Sequence, residues 1–167
     1  MQKIGILILA TLLITACSSN SSKKSEEYIR ERVDVIYARY HRPQQDEKSG
    51  RVTDHDINYD ELYCSARYKA LLSKALDLAG DNDLVIDYDH WTSSQDDSDF
   101  TYQIKKVSEI TDSTAVVELS TKNFGEEGSI ILKLYFERDD WFVDDFVTED
   151  GTNSEKAYLQ QYVSDAL

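Results

Sequence analysis

Ile130-Ile131-Leu132-Lys133-Leu134-Tyr135-Phe136-Glu137-Arg138-Asp139-Asp140-Trp141-Phe142-Val143-Asp144-Asp145-Phe146-Val147 reads as two strands and the turn between them. Ile130, Leu132, Leu134 and Phe136 alternate with Ile131, Lys133, Tyr135 and Glu137, the period of two that sends successive side chains to opposite sheet faces. Arg138-Asp139-Asp140 turns the chain, and Trp141–Val147 is the last long strand. Toward the N-terminus, Gly125-Glu126-Glu127-Gly128 reads as a turn, Thr114–Thr121 as a strand and Asp112-Ser113 as another turn. Phe100, Tyr102 and Ile104 alternate with Thr101, Gln103 and Lys105 in a first strand. Connections this short join antiparallel neighbours, so a meander is expected.

Helical spacing fills the earlier part of the chain. Ser25 is placed to cap a helix whose first turn holds Glu26 and Glu27 and whose inner face is Ile29, Val33, Ile36, Tyr37 and Tyr40. Pro43, the only proline, is expected to close that helix, and Gln44 to Asp56 reads as a polar loop. Ile57–Tyr63 is a short helical candidate. Ser65 caps a clearer helix with Tyr68, Leu71, Leu72, Ala75 and Ala79 on one face, and Gly80 is its stop. Ser154 is placed to cap a last helix carrying Tyr158, Leu159, Tyr162 and Val163. Helices first and strands later give an α+β domain: a curved antiparallel meander with helices on its concave side and a C-terminal helix. This order resembles the cone-shaped nuclear-transport-factor-two-like folds, which share their architecture with cystatins. That resemblance implies a pocket between helix and sheet and leaves the activity open.

The first sixteen residues have the layout of an export signal: Lys3 near the start, an apolar run from Ile4 to Ile14, and small residues at Thr15-Ala16. The run is short of the roughly 20 apolar residues a spanning helix needs. Ile14-Thr15-Ala16-Cys17 resembles the lipobox of bacterial lipoproteins. The resemblance implies cleavage before Cys17, a diacylglycerol thioether on its sulfur and an acylated (palmitate-type) amine. Several acyl chains, each buried CH₂ worth about 0.8 kcal/mol, hold a protein on a bilayer. Ser18 stands where an Asp would mark inner-membrane retention, which by the same resemblance places the protein on the outer membrane facing the periplasm. The apolar-free run Ser18–Lys24 reads as a tether, so the single domain is expected over 25–167.

About 143 residues from Ser25 suffice for one core. The full chain carries a net charge of −14, and loss of Lys3 with the signal takes this to −15. Nucleic acid is excluded as a partner, because its phosphates would be repelled. The acidity fits a solvated surface or a basic protein partner. With Cys17 consumed by lipid, Cys64 stands alone and no intrachain disulfide is expected; Leu62, Tyr63 and Tyr68 nearby favour its burial.

The segment Asp87-Tyr88-Asp89-His90-Trp91-Thr92-Ser93-Ser94-Gln95-Asp96-Asp97 lies between the helical part and the sheet. Its Asp-x-Asp-x-aromatic-x-x-x-Gln-Asp pattern, with the Ser65–Leu72 helix start and the final Trp141-Phe142-Val143-Asp144-Asp145-Phe146, resembles the bacterial family called domain of unknown function 3828. The likeness covers about residues 25–147, with His90 where that pattern has a small residue or proline. It implies a secreted or lipid-anchored cone-like α+β domain and no particular chemistry.

Four readings of the segment are open. Asp87, Asp89 and Gln95 can cap backbone groups while Trp91 plugs the core. Asp87, Asp89, Trp91, Gln95 and Asp96 can form a ligand pocket with Trp91 as its apolar wall. Asp87-x-Asp89 offers calcium oxygens, but Trp91 takes the third ligand's place and no Gly follows. Asp89 with His90, or Cys64 with His90 or His41, can form an acid–base or nucleophile–base pair. His41, His55 and His90 lack metal-ligand spacing, and no phosphate loop or nucleophile elbow is present, so no cofactor or metal is expected. Three functions follow: a non-catalytic envelope module that binds a small ligand or partner; an immunity or inhibitor protein against a basic toxin or lytic enzyme; and a cone-fold hydrolase or isomerase.

Overall fold

The computed structural model describes residues 22–48, 57–80, 84–148 and 152–167, the backbone alone over 41–48. The expected export signal, Cys17 and positions 49–56 of the expected loop lie outside the described residues, as do the side chains of His41 and His55.

Helix α1 spans Glu26–Lys48. The Ser25 hydroxyl accepts the Tyr28 amide at 3.2 Å, as its capping role requires. Ile29, Val33, Ile36 and Tyr37 are fully buried at the expected spacing, and Tyr40 is half-buried. The helix does not stop at Pro43, contrary to expectation, and takes in part of the anticipated loop. Pro43 has no N–H for the carbonyl of Arg39 four residues back. That carbonyl instead accepts the Tyr59 hydroxyl at 3.0 Å, which removes the orphaned acceptor that normally ends a helix at proline.

Helix α2, Tyr59–Tyr63, is capped by Asn58, and α3, Ala66–Ala79, by Ser65. Gly80 ends α3 at φ +60, a conformation that glycine adopts without a Cβ clash. Four strands follow: β1 Thr101–Ser108, β2 Thr114–Asn123, β3 Glu126–Glu137 and β4 Asp140–Thr148. They pair antiparallel in the order β1-β2-β3-β4, the expected meander. The β2–β3 turn differs in place: it is Phe124-Gly125, both at positive φ, and Glu126–Gly128 belong to β3. Lys105 in β1 and Asp144 in β4 sit at shifts of pairing register, where bulges bend a sheet. Helix α4, Glu155–Asp165, is capped by Ser154 and closes the chain against β4 and α3.

The protein is therefore of the α+β class, with helices on a four-stranded antiparallel meander and a C-terminal helix. Val117, Leu119, Ile130, Leu132, Leu134 and Phe146 meet the inner face of α1 in one continuous apolar core.

β4 is buried along Trp141–Val147 although it is the last strand of the sheet. Its free edge is covered where the Ser65 amide donates to the Val143 carbonyl at 2.7 Å and the Thr148 amide to Asn153 at 3.2 Å. Lys23 and Lys24 also contact the strands. The buried Trp141 indole N–H needs an acceptor and donates to the Lys23 carbonyl at 2.7 Å. Lys23 Nζ meets Asp139 at 2.5 Å, and Lys24 lies over the Phe136 ring.

Candidate functional site

The chain between α3 and β1 folds back on itself at Asp89. The Asp89 amide donates to the Ser94 carbonyl at 2.9 Å, and the Ser94 amide returns to the Asp89 carbonyl at 3.3 Å. Ser93, at φ +56, makes the tight reversal between them. The Asp89 carboxylate accepts the Trp91 amide at 2.8 Å on Oδ1 and the Tyr40 hydroxyl on Oδ2. Burial raises its pKa, against the pull of those two donors. Asp96 accepts the Ser98 amide at 3.1 Å, and Gln95 Nε2 donates to the Asp87 carbonyl at 3.2 Å. Trp91 is buried against Phe146, Tyr37 and Tyr63.

Asp89, Asp96 and Trp91 thus hold the segment together, by the backbone-capping chemistry short Asp side chains favour. Asp87 and Gln95 instead line an open cleft of about 940 Å³ between this segment and the start of α4, with Leu84, Ile86, Tyr88 and Tyr158. The Asp87 carboxylate is exposed and has no hydrogen-bond partner among the described residues. Asp89 and Trp91 border a separate, shallower depression of about 290 Å³. The five residues are not brought into one pocket. A second cleft of about 640 Å³ adjoins the first and shares Ser93, Ser94, Thr148 and Asn153 with it.

A cluster that sequence reasoning missed lies under the segment. His90, 8% exposed, places Nε2 2.9 Å from Asp60 Oδ1 and Nδ1 3.3 Å from Oε1 of Glu155, itself 3% exposed. The ring stacks on Phe146 with centroids 4.3 Å apart. Tyr68 and Tyr88 donate their hydroxyls to the two oxygens of Glu155, Tyr88 at 3.0 Å, and the Trp91 indole donates to Asp60 Oδ1 at 2.9 Å. Burial alone would strip His90 of its charge, but the carboxylates of Asp60 and Glu155 outweigh it and lift the pKa to about 10. Burial likewise opposes the charge on Asp60, yet His90 and Trp91 hold its carboxyl below the usual range. Asp60, His90 and Glu155 lie 30 and 65 positions apart, and no motif links them.

This geometry bears on the catalytic readings. An imidazolium facing a carboxylate at each nitrogen has no lone pair with which to take a proton. Asp89, the expected partner of His90, is committed to Trp91 and Tyr40. Cys64 is buried, and burial together with the charges of Asp60 and Glu155 pushes its pKa well up, so it remains a thiol. No group of three or more His, Cys, Asp or Glu side chains suited to a metal occurs among the described residues.

Asp144 and Asp145 carry the other buried charges. Asp144, the bulged residue of β4, accepts the Ser65 hydroxyl at 2.6 Å, the Arg67 guanidinium through both oxygens and Lys156 Nζ at 2.6 Å. Burial opposes its charge, but these donors keep its pKa below the usual carboxylate range. Asp145 accepts the Ser154 hydroxyl at 2.7 Å and the Lys156 amide at 2.9 Å. The pair fixes the starts of α3 and α4 to the strand, with negative charge at two helix N-termini.

In comparisons with known proteins, no family, curated protein or solved structure matches the chain.

Proposed function

We propose that the protein is a non-catalytic binding module of the bacterial envelope, anchored through lipid on Cys17, whose ligand seats in the cleft between residues 84–95 and the first turns of α4. The observation that carries this reading is a division of labour among the polar groups. Asp60, His90, Glu155 and Cys64 turn inward onto one another, whereas the exposed Asp87 carboxylate and the half-exposed Tyr158 ring face an open cleft of about 940 Å³. A cleft with apolar walls and a few uncommitted polar groups is the usual form of a binding site. The lipobox resemblance and the likeness to domain of unknown function 3828 support the address and say nothing about chemistry.

A photo-crosslinking residue placed at Gln95 of the full chain in growing cells tests this. A discrete adduct from position 95, and none from the exposed Lys105 on β1, is expected. Absence of any adduct at position 95 overturns the reading. Radiolabelled palmitate should enter the wild-type protein and not Cys17→Ser.

The immunity or inhibitor reading has one observation in its favour: the mature charge of −15, with Glu126 and Glu127 beside the second cleft. Under that reading the adduct is a basic protein, captured at low salt and released as salt screens the attraction.

A further inference from the structure

We propose that the two adjoining clefts form one groove that binds a saccharide. This rests on the binding-module reading and names the chemical class of its ligand.

The first support is the chemistry of the walls. Where the clefts join, the lining is Ser93, Ser94, Thr148 and Asn153, and the second cleft continues with Thr121 and Ser129. Hydroxyls both donate and accept, and amides offer one group of each kind. The complementary ligand presents many groups that do the same, as sugar hydroxyls do. Ser94 already bonds to Asp96 and Asn123 within the protein, but an apolar ligand would strip water from the Ser93 and Thr148 hydroxyls at a free-energy cost. Among the described residues no Lys or Arg lines either cleft, while Asp87, Glu126 and Glu127 do, so an anionic ligand such as a nucleotide is repelled. Carboxylates at the rim accept hydrogen bonds from hydroxyls strongly.

The second support is independent. Phe124 lines the second cleft, sits at the β2–β3 turn with φ +50 and is 55% exposed. A two-residue turn with both φ positive ordinarily takes Asn-Gly or Asp-Gly. A bulky side chain in the left-handed region is strained, and at this exposure little burial offsets the strain. Arg138-Asp139 also turns the chain with two positive φ values, so what distinguishes Phe124 is an exposed aromatic ring at such a position. Tyr158, 50% exposed, lines the first cleft. The groove therefore has an aromatic face in each half and hydroxyls between. Aromatic faces receive the C–H face of a pyranose ring while its edges meet hydroxyls and amides. Each cleft falls within the range of roughly 300–1,000 Å³ typical of ligand pockets, so the joined groove accommodates several sugar rings.

A basic peptide is the competing occupant. It would use the rim carboxylates but would draw little on the neutral hydroxyls between them.

Calorimetric titration of the full-length mature protein in a non-glycosidic detergent separates the two. The probes are chitotetraose, cellotetraose, maltotetraose and tetralysine. Saturable binding of at least one tetrasaccharide is expected, unchanged between about 0.05 and 0.5 M salt. Phe124→Asn and Tyr158→Ala should each weaken it by about tenfold or more. Phe124→Asn suits the turn, so its loss of binding cannot be ascribed to misfolding; retained thermal stability checks this. The inference is overturned if no tetrasaccharide binds, or if binding ignores both substitutions. Salt-sensitive tetralysine binding, lost in Asp87→Asn and unaccompanied by sugar binding, overturns the saccharide class and leaves the binding-module reading standing. That reading falls separately, by the absence of any adduct at position 95.

Discussion

His90 Nδ1 lies 3.3 Å from Oε1 of Glu155, so the segment before the sheet is ion-paired to the first residue of the last helix. The contact closes the domain: residue 90 is held between α4 and, through Asp60, the short helix α2. A polar cluster this well enclosed fixes one arrangement of three elements, because each partner left unpaired in the core is costly.

Stability should therefore depend on pH in an unusual window. The His90 pKa is raised in the folded protein to about 10, above its ordinary 6.5. A raised pKa contributes stability that is fully present below the unfolded value and is lost as pH rises through the folded one. The urea midpoint should thus decline between about pH 6.5 and 10, by up to a few kcal/mol in free energy. Tyr40, Tyr68 and Tyr88 are pushed up by burial and titrate above this window. His90→Gln should flatten the decline below about pH 8.5, above which the buried Cys64 thiol adds a loss of the same sign; an unchanged slope below that pH would show that another group is responsible.

Removing His90 leaves Asp60 and Glu155 without their counter-charge. His90→Ala should cost about 3–5 kcal/mol, the range for breaking a buried ion pair by removing one partner. Combining His90→Gln with Glu155→Gln should cost less than the sum of the single changes, because the second substitution removes the charge the first exposed. Equilibrium denaturation of the four species measures this. Additive costs would mean that the two side chains are energetically independent.

How much of this was legible in the sequence divides by range. The caps at Ser25, Ser65 and Ser154 and the stop at Gly80 rest on chemistry within four residues, and the structure has them as read. Strand alternation likewise depends only on burial of one face. The β2–β3 turn was misplaced because Phe124 breaks the residue rule that identifies such turns. Pro43 misled because the group that satisfies Arg39 comes from Tyr59, across an interval no local rule spans. The 87–97 segment stood out for its composition, yet adjacent Asp89 and His90 serve different partners. Nothing at Glu155 beyond a favourable first-turn charge announced that it would pair with a histidine 65 positions earlier.

The continuation of α1 through Pro43 makes a coupling testable. Tyr59→Phe removes the hydroxyl that serves the Arg39 carbonyl and should cost about 1 kcal/mol. In a Pro43→Ala background residue 43 has an N–H that reaches the same carbonyl, so Tyr59→Phe should cost less than half as much there. Thermal denaturation of the double-mutant cycle reads the difference. Equal costs in both backgrounds would mean that the hydroxyl does not substitute for the missing helix bond.

Asp144 should be the most sensitive residue of β4. Its carboxylate receives the side chains of Ser65, Arg67 and Lys156, joining the start of α3 to α4 through a bulge in the strand. Asp144→Ala should cost about 3 kcal/mol or more, since it leaves a half-buried lysine and a capping hydroxyl without their acceptor. Asp144→Asn keeps the bulge and an acceptor oxygen and should cost less. Equilibrium denaturation of both variants measures this, and equal costs for Ala and Asn would mean that the acceptor oxygen contributes nothing.

Phe124 offers the reverse expectation, a substitution that stabilises. At φ +50 beside Gly125 at φ +86, it occupies a position where an L-residue with a large side chain is penalised by about 1–2 kcal/mol. Asn tolerates the left-handed region because its short polar side chain bonds locally, so Phe124→Asn should raise stability by about 1 kcal/mol. For a chain of this size that is a few degrees in melting temperature. Phe124→Ala removes the ring without supplying the local hydrogen bond, and should stabilise less or not at all. If Phe124→Asn lowers the melting point, the ring is making contacts that support the fold, and its exposure needs no explanation in ligand binding. If it raises the melting point, the wild-type residue is held at a cost to the fold, and the benefit must lie outside it.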